Sequence, residues 1–386
     1  MIHALLVAGI VFTVLGAIAL PVNLIAFPRL SDAARQAPPG ASPRVSVVIP
    51  ARNEELDIEA TVRSHLSTDY PDFQVVVVDD RSTDATANIL GKLAREVPRL
   101  VVVSGTDPPG GWLGKPHALW EGAQVADGEI LLFADADVRY DPRAIREAVA
   151  LLDARSLDLL TFFPHFEMRG FWENVLLPFL GVTVFLGLGF VAASRRARGL
   201  ALGAGAGNLV RRSTYDAVGG HEALRNSVVD DVRLANAVKR AGFPVAAFRA
   251  GDRVSVRIYR GFRAVWNGFT KNVAWAFAGA WGAVLLPLVT FVLFLWIVPA
   301  VTLLGAAAGA HVASGDVRLA AVLLGATILL RAALARSLGD PLWPAVTHPI
   351  MAAVWTGLLG RSLFHRFVRR RLTWRGREYD ARRARF

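Results

Sequence analysis

From Ile2 to Phe27 the chain carries no Asp, Glu, Lys or Arg, and Pro28 and Arg29 follow at once. A helix crosses a hydrocarbon core with about 20 apolar residues, so this run is long enough. A cleaved leader is disfavoured, because no basic segment opens the chain, the run is too long, and no small-x-small site precedes the polar chain. An uncleaved anchor over 1–28 is expected. Charge is absent again over Val273–Gly315, Leu319–Leu330 (ending at Arg331) and Pro341–Gly360, the last with Trp343 and Trp355 near its ends, as suits a membrane–water interface. As one helix, 273–315 would reach roughly 65 Å, about twice the thickness of the core, so either one long span plus an interfacial piece or a tight hairpin broken near Pro287 or Pro299 is expected. Several such runs favour a membrane domain over 273–365 against a set of buried soluble helices. With 53% hydrophobic residues the chain is not disordered, and without cysteine it has no disulfides, thiol nucleophile or Cys-type zinc site.

The formal charge of +11 is concentrated at one end: 361–386 holds ten Arg against Glu378 and Asp380. Directly after a membrane segment, such a cluster (366–386) reads as a cytoplasmic tail held by anionic lipids. Nucleic acid is the other usual partner of an Arg-rich tail, and this position argues against it. Localisation in the inner (plasma) membrane, multi-pass, with residues 29–272 cytoplasmic, follows as an expectation.

Between the apolar parts, short β-branched runs alternate with helical spacing. The runs are Val45–Ile49, Val75–Val78, Leu100–Val103, Ile130–Phe133 and Leu157–Phe162; the helical stretches are Leu56–His65, Ala85–Glu96, His117–Val125 and Pro142–Leu152. Strands this apolar are buried on both faces, and the alternation predicts an α/β domain with a mostly parallel sheet over 29–272. Ligands of such sheets bind beyond the carboxyl ends of the strands. There the sequence places Pro50-Ala51-Arg-Asn-Glu54, Asp79-Asp80-Arg-Ser-Thr-Asp84 and Asp135-Ala136-Asp137, and a later helix opens with Asp230-Asp231. Any one of these carboxylates reads as a helix N-cap. Together they would repel one another unless a divalent cation and a donor-rich ligand bound among them.

In these segments (VSVVIPARNEE at 45–55, VVVVDDRSTDAT at 75–86, the GK at 114–115, LLFADADV at 131–138 and VDDVRLANAVKRAG at 229–242) the chain resembles the membrane-attached family 2 glycosyltransferases of GT-A fold. Tyr259-Arg-Gly-Phe-Arg263-Ala-Val-Trp266 and the terminal Thr373-Trp-Arg-Gly-Arg-Glu-Tyr379 narrow the resemblance to carotenoid, hydroxychlorobactene and hopanoid-associated lipid glucosyltransferases. It implies inverting transfer of one hexose, with UDP-glucose the expected nucleotide-sugar donor, to the hydroxyl of a membrane lipid: a carotenoid, hopanoid, polyprenyl phosphate or glycerolipid. It further implies Mg2+ or Mn2+ at Asp137 and Asp135 of the DxD motif, Asp231 as general base with Asp230 in reserve, and a nucleotide-sugar pocket of Pro50, Ala51, Glu54, Asp80, Lys115, Asp135, Ala136 and Asp137.

Outside these motifs, Gly203-Ala-Gly205-Ala-Gly207-Asn208 lacks the spacing of a dinucleotide loop. With His221 it is read as a donor or acceptor contact, against a capping role for the histidine. Arg263 and Trp266 stand where processive members carry QxxRW; that motif is missing, which argues against polymer synthesis. An amphipathic interfacial helix is the competing reading of the same residues. The uncharged run at 174–194 lies between the DxD motif and Asp231. A span there would part metal site and base, so an interfacial or re-entrant course is expected. A silent scaffold of the same fold is disfavoured by the intact Asp80, Asp135, Asp137 and Asp231. No obligatory protein partner is implied.

Overall fold

The computed structural model describes residues 1–37, 42–187, 189, 201–276, 293–369, 371–374 and 377–380. Two compact units divide the chain: Phe27–Glu167, Val191–Ile258 and Arg370–Phe386 form one, and Met1–Ala26, Met168–Phe190 and Tyr259–Arg369 the other. The division differs from the expected one. The polar middle ends at 258 rather than 272, and 168–190 belongs with the apolar helices.

In the first unit, ten strands follow the chain: β1 (Val45–Ala51), β2 (Phe73–Asp79), β3 (Leu100–Ser104), β4 (Ile130–Phe133), β5 (Val138–Tyr140), β6 (Leu159–Phe163), β7 (His165–Phe166), β8 (Asn208–Arg211), β9 (Val245–Arg249) and β10 (Val254–Val256). Seven of them form one sheet in the order β3-β2-β1-β4-β8-β6-β9. Neighbours pair in parallel except at β8, which runs antiparallel to both β4 and β6. Alternation along the strands divides the core between two faces. Val47, Ile49, Val75 and Val77 pack with Ile58, Val62, Leu90, Leu93 and Leu152. Val48, Val76 and Leu131 pack on the other face with Leu119, Ala123, Leu234 and Val238. Ser46, wholly buried on β1, is satisfied by Gln74 Nε2 and the Gly128 amide, each 2.8 Å away. A smaller sheet, β5-β10-β7, continues the chain past the end of β4. In the expected tail, Arg371–Trp374 and Arg377–Asp380 pair as an antiparallel hairpin.

The second unit is helical. Ile2–Ala26 and Ser314–Leu338 are each 25 residues and apolar enough to cross a bilayer, and Phe171–Leu186 and Phe294–Ala307 are shorter apolar helical stretches. The helix that contains the apolar run 319–330 continues through Arg331, since straight-chain Arg is a good helix former and the buried stripe Leu323, Thr327, Arg331, Leu334 keeps helical spacing. The run 341–360 is one short turn, Trp343–Ala345, and a helix, His348–Phe364. Of 273–315, residues 277–292 lie outside the described part, as do 190–194 of the run 174–194. What is described of that run packs inside this unit: Asn23 Nδ2 donates to the carbonyls of Phe185 and Gly187, both at 3.0 Å, and Trp355 Nε1 to that of Leu176 at 2.9 Å.

Candidate active site

The loops leaving β1 and β2 are laced together. The Asp80 amide donates to the Ala51 carbonyl at 2.8 Å, and the Arg52 guanidinium to the carbonyls of Asp80 (2.5 Å) and Arg81 (3.1 Å). Asn53 and Arg81 both hold left-handed backbone, with φ of 53° and 56°. That conformation costs about 1–3 kcal/mol per non-glycine residue and persists only where neighbours fix it. Here the Asn53 amide donates to Ser82 Oγ at 3.0 Å, and the Thr83 amide to Asn53 Oδ1 at 2.8 Å. Pro50, Ala51, Glu54 and a nearly buried Asp80 are thereby held on one wall, with Arg81 3.2 Å from Asp80 Oδ1 and paired also to Asp107.

Past β4, the Asp135 amide donates to the Gly205 carbonyl at 2.8 Å, and the buried Ala136 carbonyl accepts from Thr61 Oγ1 at 2.6 Å. Burial, and then the charges of Asp135, Glu54 and Asp57, push the Asp137 carboxyl up to about 8. Two hard-oxygen carboxylates, one short of cationic company, fit Mg2+ or Mn2+, which dehydrate reluctantly and take one or two carboxylates plus substrate phosphates. Among the described residues no three His, Asp or Glu side chains converge as a self-sufficient metal cage, as that mode of binding allows.

Lys115, at the start of the helix Gly114–Val125, reaches between the DxD motif and the helix Asp230–Arg240. Its Nζ lies 2.7 Å from Asp135 Oδ1 and 3.5 Å from Asp230 Oδ1. Burial works to lower the ammonium pKa, but Asp135, Asp230 and Asp231 outweigh it and raise it well above the ordinary value. Asp230 is 3% exposed; burial pushes its carboxyl up to about 6, with Lys115 pulling the other way. Asp231 is more open, and its Oδ1 accepts the Val232 amide at 2.8 Å. Both acids stand in the first turn of their helix, where the macrodipole favours negative charge.

The glycine-rich segment joins these two parts. A Cβ at Gly205 would fall inside the Asp135 carboxylate, one at Gly203 inside the Asp231 backbone, and one at Gly207 (φ 153°) against Tyr140 and Phe162. Asn208 Nδ2 donates to the Asp231 carbonyl at 3.0 Å, and Tyr140 Oη to the Ala206 carbonyl at 2.6 Å. So this segment is a seam of close backbone approach that sets the distance between DxD and base. Gly207 and Asn208 sit inside the seam rather than on a ligand-facing wall. His221 is likewise interior: it is 1% exposed, its Nδ1 is 3.0 Å from Tyr215 Oη, and its ring meets Phe133 edge-on. All three are buried and back the site from behind. Arg263 and Trp266 are in the other unit, on the helix Gly261–Ala276, where Trp266 stacks on Phe262 and carries the Arg361 guanidinium 5.8 Å from its ring. Arg52, Arg81 and Tyr140 were passed over by the motif reading although the first two lie within its segments.

A mostly parallel sheet, with paired carboxylates past β4 and a diacidic helix start brought to them by one lysine, defines a glycosyltransferase of GT-A fold. The sequence profile of glycosyl transferase family 21 matches residues 8–385, and the chain belongs to that family. The chain is 29% identical over 261 residues to 4,4'-diaponeurosporenoate glycosyltransferase of Staphylococcus haemolyticus, covering 67% of each chain. It is 29% identical over 240 residues to the enzyme of that name in Staphylococcus aureus, covering 60% of each. Among solved structures, a mannosyltransferase of Pyrobaculum calidifontis in complex with GDP-Man and Mn2+ is similar, with a TM-score of 0.57 and 22% identity over 94% of this chain and 99% of that one.

Proposed function

We propose that this enzyme moves one hexose from a UDP-sugar, glucose first among candidates, to the hydroxyl of a membrane lipid with inversion at the anomeric carbon. The observation that carries this reading is Lys115 held between Asp135 and Asp230, with Asp231 beside them. Asp80, on the wall beyond β2, accepts a hydrogen bond from the nucleobase. Asp135 and Asp137 would hold a divalent cation, which when bound neutralises the charge developing on the leaving diphosphate. Lys115 offers that diphosphate a second positive group. Asp231 takes the proton from the acceptor hydroxyl as its oxygen attacks the anomeric carbon and the bond to the diphosphate breaks. Relatives named for a carotenoid acid, together with the two long apolar helices, support a lipid acceptor and membrane attachment, and the Arg-rich tail favours a cytoplasmic side for the α/β unit.

The test is incubation of the full chain in mixed micelles with bacterial lipid extract, divalent cation and radiolabelled UDP-glucose, with GDP-mannose as the other arm. Label entering the organic phase as a lipid heavier by one hexose is expected. Donor hydrolysis with no glycolipid from either donor would refute the reading.

A further inference from the structure

The two long helices of the helical unit fix a level. His3 Nδ1 lies 2.7 Å from Asp316 Oδ1 at one end, and further along a Cβ at Gly9 would meet Leu323 and one at Gly16 would meet Leu330. These pairs advance together, so Ile2–Ala26 and Ser314–Leu338 run parallel and in step, and Ala26 and Leu338 come level at the other end. Each helix is about 37 Å long, enough for a ~30 Å hydrocarbon core. Val7, Val14, Ile18 and Ile25 on the first and Val322 and Leu329 on the second are exposed along that length, an apolar surface suited to lipid chains.

Just past Leu338, aromatic rings from three separate segments form one row. Trp343 stacks on Phe171, with 5.7 Å between ring centres, and Phe171 meets Trp172 edge-on at 5.3 Å. Trp172 meets Phe262 at 4.9 Å, and Phe262 stacks on Trp266 at 5.7 Å. Phe171, Trp172 and Trp343 are 53%, 37% and 44% exposed. Trp355, the other tryptophan of the run 341–360, is buried instead, stacked 4.0 Å from Phe179. A contiguous row of rings left outside the core marks a surface that a partner covers. Its charges name the partner. Arg263 is exposed one turn before Trp266, and the Arg361 guanidinium lies 5.8 Å from the Trp266 ring. A guanidinium is costly in hydrocarbon, and large rings are poorly accommodated in water; the headgroup layer of a bilayer takes both. The stretch Phe171–Leu186 agrees. It opens in the row, and at its far end the Phe185 carbonyl accepts from Asn23 Nδ2 at 3.0 Å, three residues short of Ala26. It therefore begins and ends on the same side of the core.

We infer that the row Trp343, Phe171, Trp172, Phe262 and Trp266 lies in the headgroup layer of the bilayer, on the side of Ala26 and Leu338, and that Phe171–Leu186 lies along this layer without crossing the membrane. The inference rests on the membrane attachment proposed above and adds the surface that sets its depth.

The chain has no cysteine, so a single introduced thiol can carry a fluorophore. Full-length Trp343→Cys, Trp172→Cys and, for reference, Val14→Cys in the exposed middle of Ile2–Ala26 are labelled and reconstituted in phosphatidylcholine–phosphatidylglycerol vesicles. The vesicles contain lipids bearing a nitroxide quencher either near the headgroup or near the chain end. Labels at 343 and 172 should lose more emission to the headgroup-side nitroxide, and the label at 14 more to the chain-end one. If the label at 14 behaves so while those at 343 and 172 are quenched by neither lipid, or more by the chain-end nitroxide, the interfacial row is overturned and the membrane reading stands. If none of the three labels is quenched, the membrane reading falls and the row with it. Should one of the two tryptophan variants not fold, the other decides alone.

Discussion

Lys115 Nζ lies 2.7 Å from Asp135 Oδ1, so the start of the helix Gly114–Val125 supplies the positive charge that holds the DxD motif beside the diacidic helix start. The carboxylates of Asp135 and Asp230 share this cation; Asp230 is buried and Asp135 partly open, so removing the lysine leaves one buried carboxylate uncompensated, at a cost below the about 3–5 kcal/mol of a fully buried pair. Lys115→Met is expected to lower both unfolding midpoint and turnover. Combined with Asp230→Asn, it should recover much of the midpoint and little of the turnover. Additive losses in the midpoint would mean that the two groups do not interact.

Asp231 and Asp230 adjoin in sequence, yet their surroundings differ. Asp230 is buried against Lys115, whereas Asp231 is open and keeps one oxygen not used by the Val232 amide. Asp231→Asn should reduce transfer about 10²–10⁴-fold, the usual worth of a general base, with UDP affinity nearly unchanged. Asp230→Asn should act mainly on stability and donor binding. Equal loss of kcat in the two variants, with KM unchanged, would contradict this division.

Gly205 cannot carry a side chain without entering the Asp135 carboxylate. Gly205→Ala is expected to cost about 1–3 kcal/mol of stability by overpacking and to weaken donor binding at least tenfold through displaced Asp135. Isothermal titration with UDP and cation measures it. Wild-type affinity would remove the seam from the account.

That seam shows where the sequence stopped being informative. The strands β1, β2 and β4 were legible because each is a β-branched run with its polar residues at one end, and Asp80, Asp135 and Asp137 followed from those ends. β8 was not: Asn208–Arg211 is four residues after a glycine-rich stretch, and it becomes a strand only because β4 and β6 lie on either side of it. His221 and Asn208 were visible as polar residues, but their burial is tertiary information. Arg331 ends the uncharged run in the sequence, whereas packing carries the helix on through it.

Asp137 is crowded by Asp135, Glu54 and Asp57, and burial raises its carboxyl to about 8. A divalent cation would remove that crowding. Chelation is expected to abolish transfer and weaken UDP binding, with Mg2+ or Mn2+ restoring both. Asp137→Ala should show the same loss and no response to added cation. Full turnover by Asp137→Ala would dispose of the cation argument.

Acid should destabilise the α/β unit through two buried histidines. His65, wholly buried on Tyr140 with neither ring nitrogen hydrogen-bonded, is lowered to about 3 by burial and then by the charge of Arg139. His221 is lowered to about 3 by burial and then by Lys115. Both are neutral when folded, and in the unfolded chain they titrate near 6.5. Between these values the unfolded state binds protons that the folded state refuses. Stability is therefore complete above about 6.5 and falls towards pH 3, by ~1.4 kcal/mol per pH unit for each histidine. Carboxylates add a slope of their own, so the comparison that isolates this term is His65→Phe, which keeps the stack on Tyr140 and cannot bind a proton. Its unfolding midpoint should decline less steeply than wild type between pH 6 and pH 4, and parallel curves would show that His65 carries no linked proton.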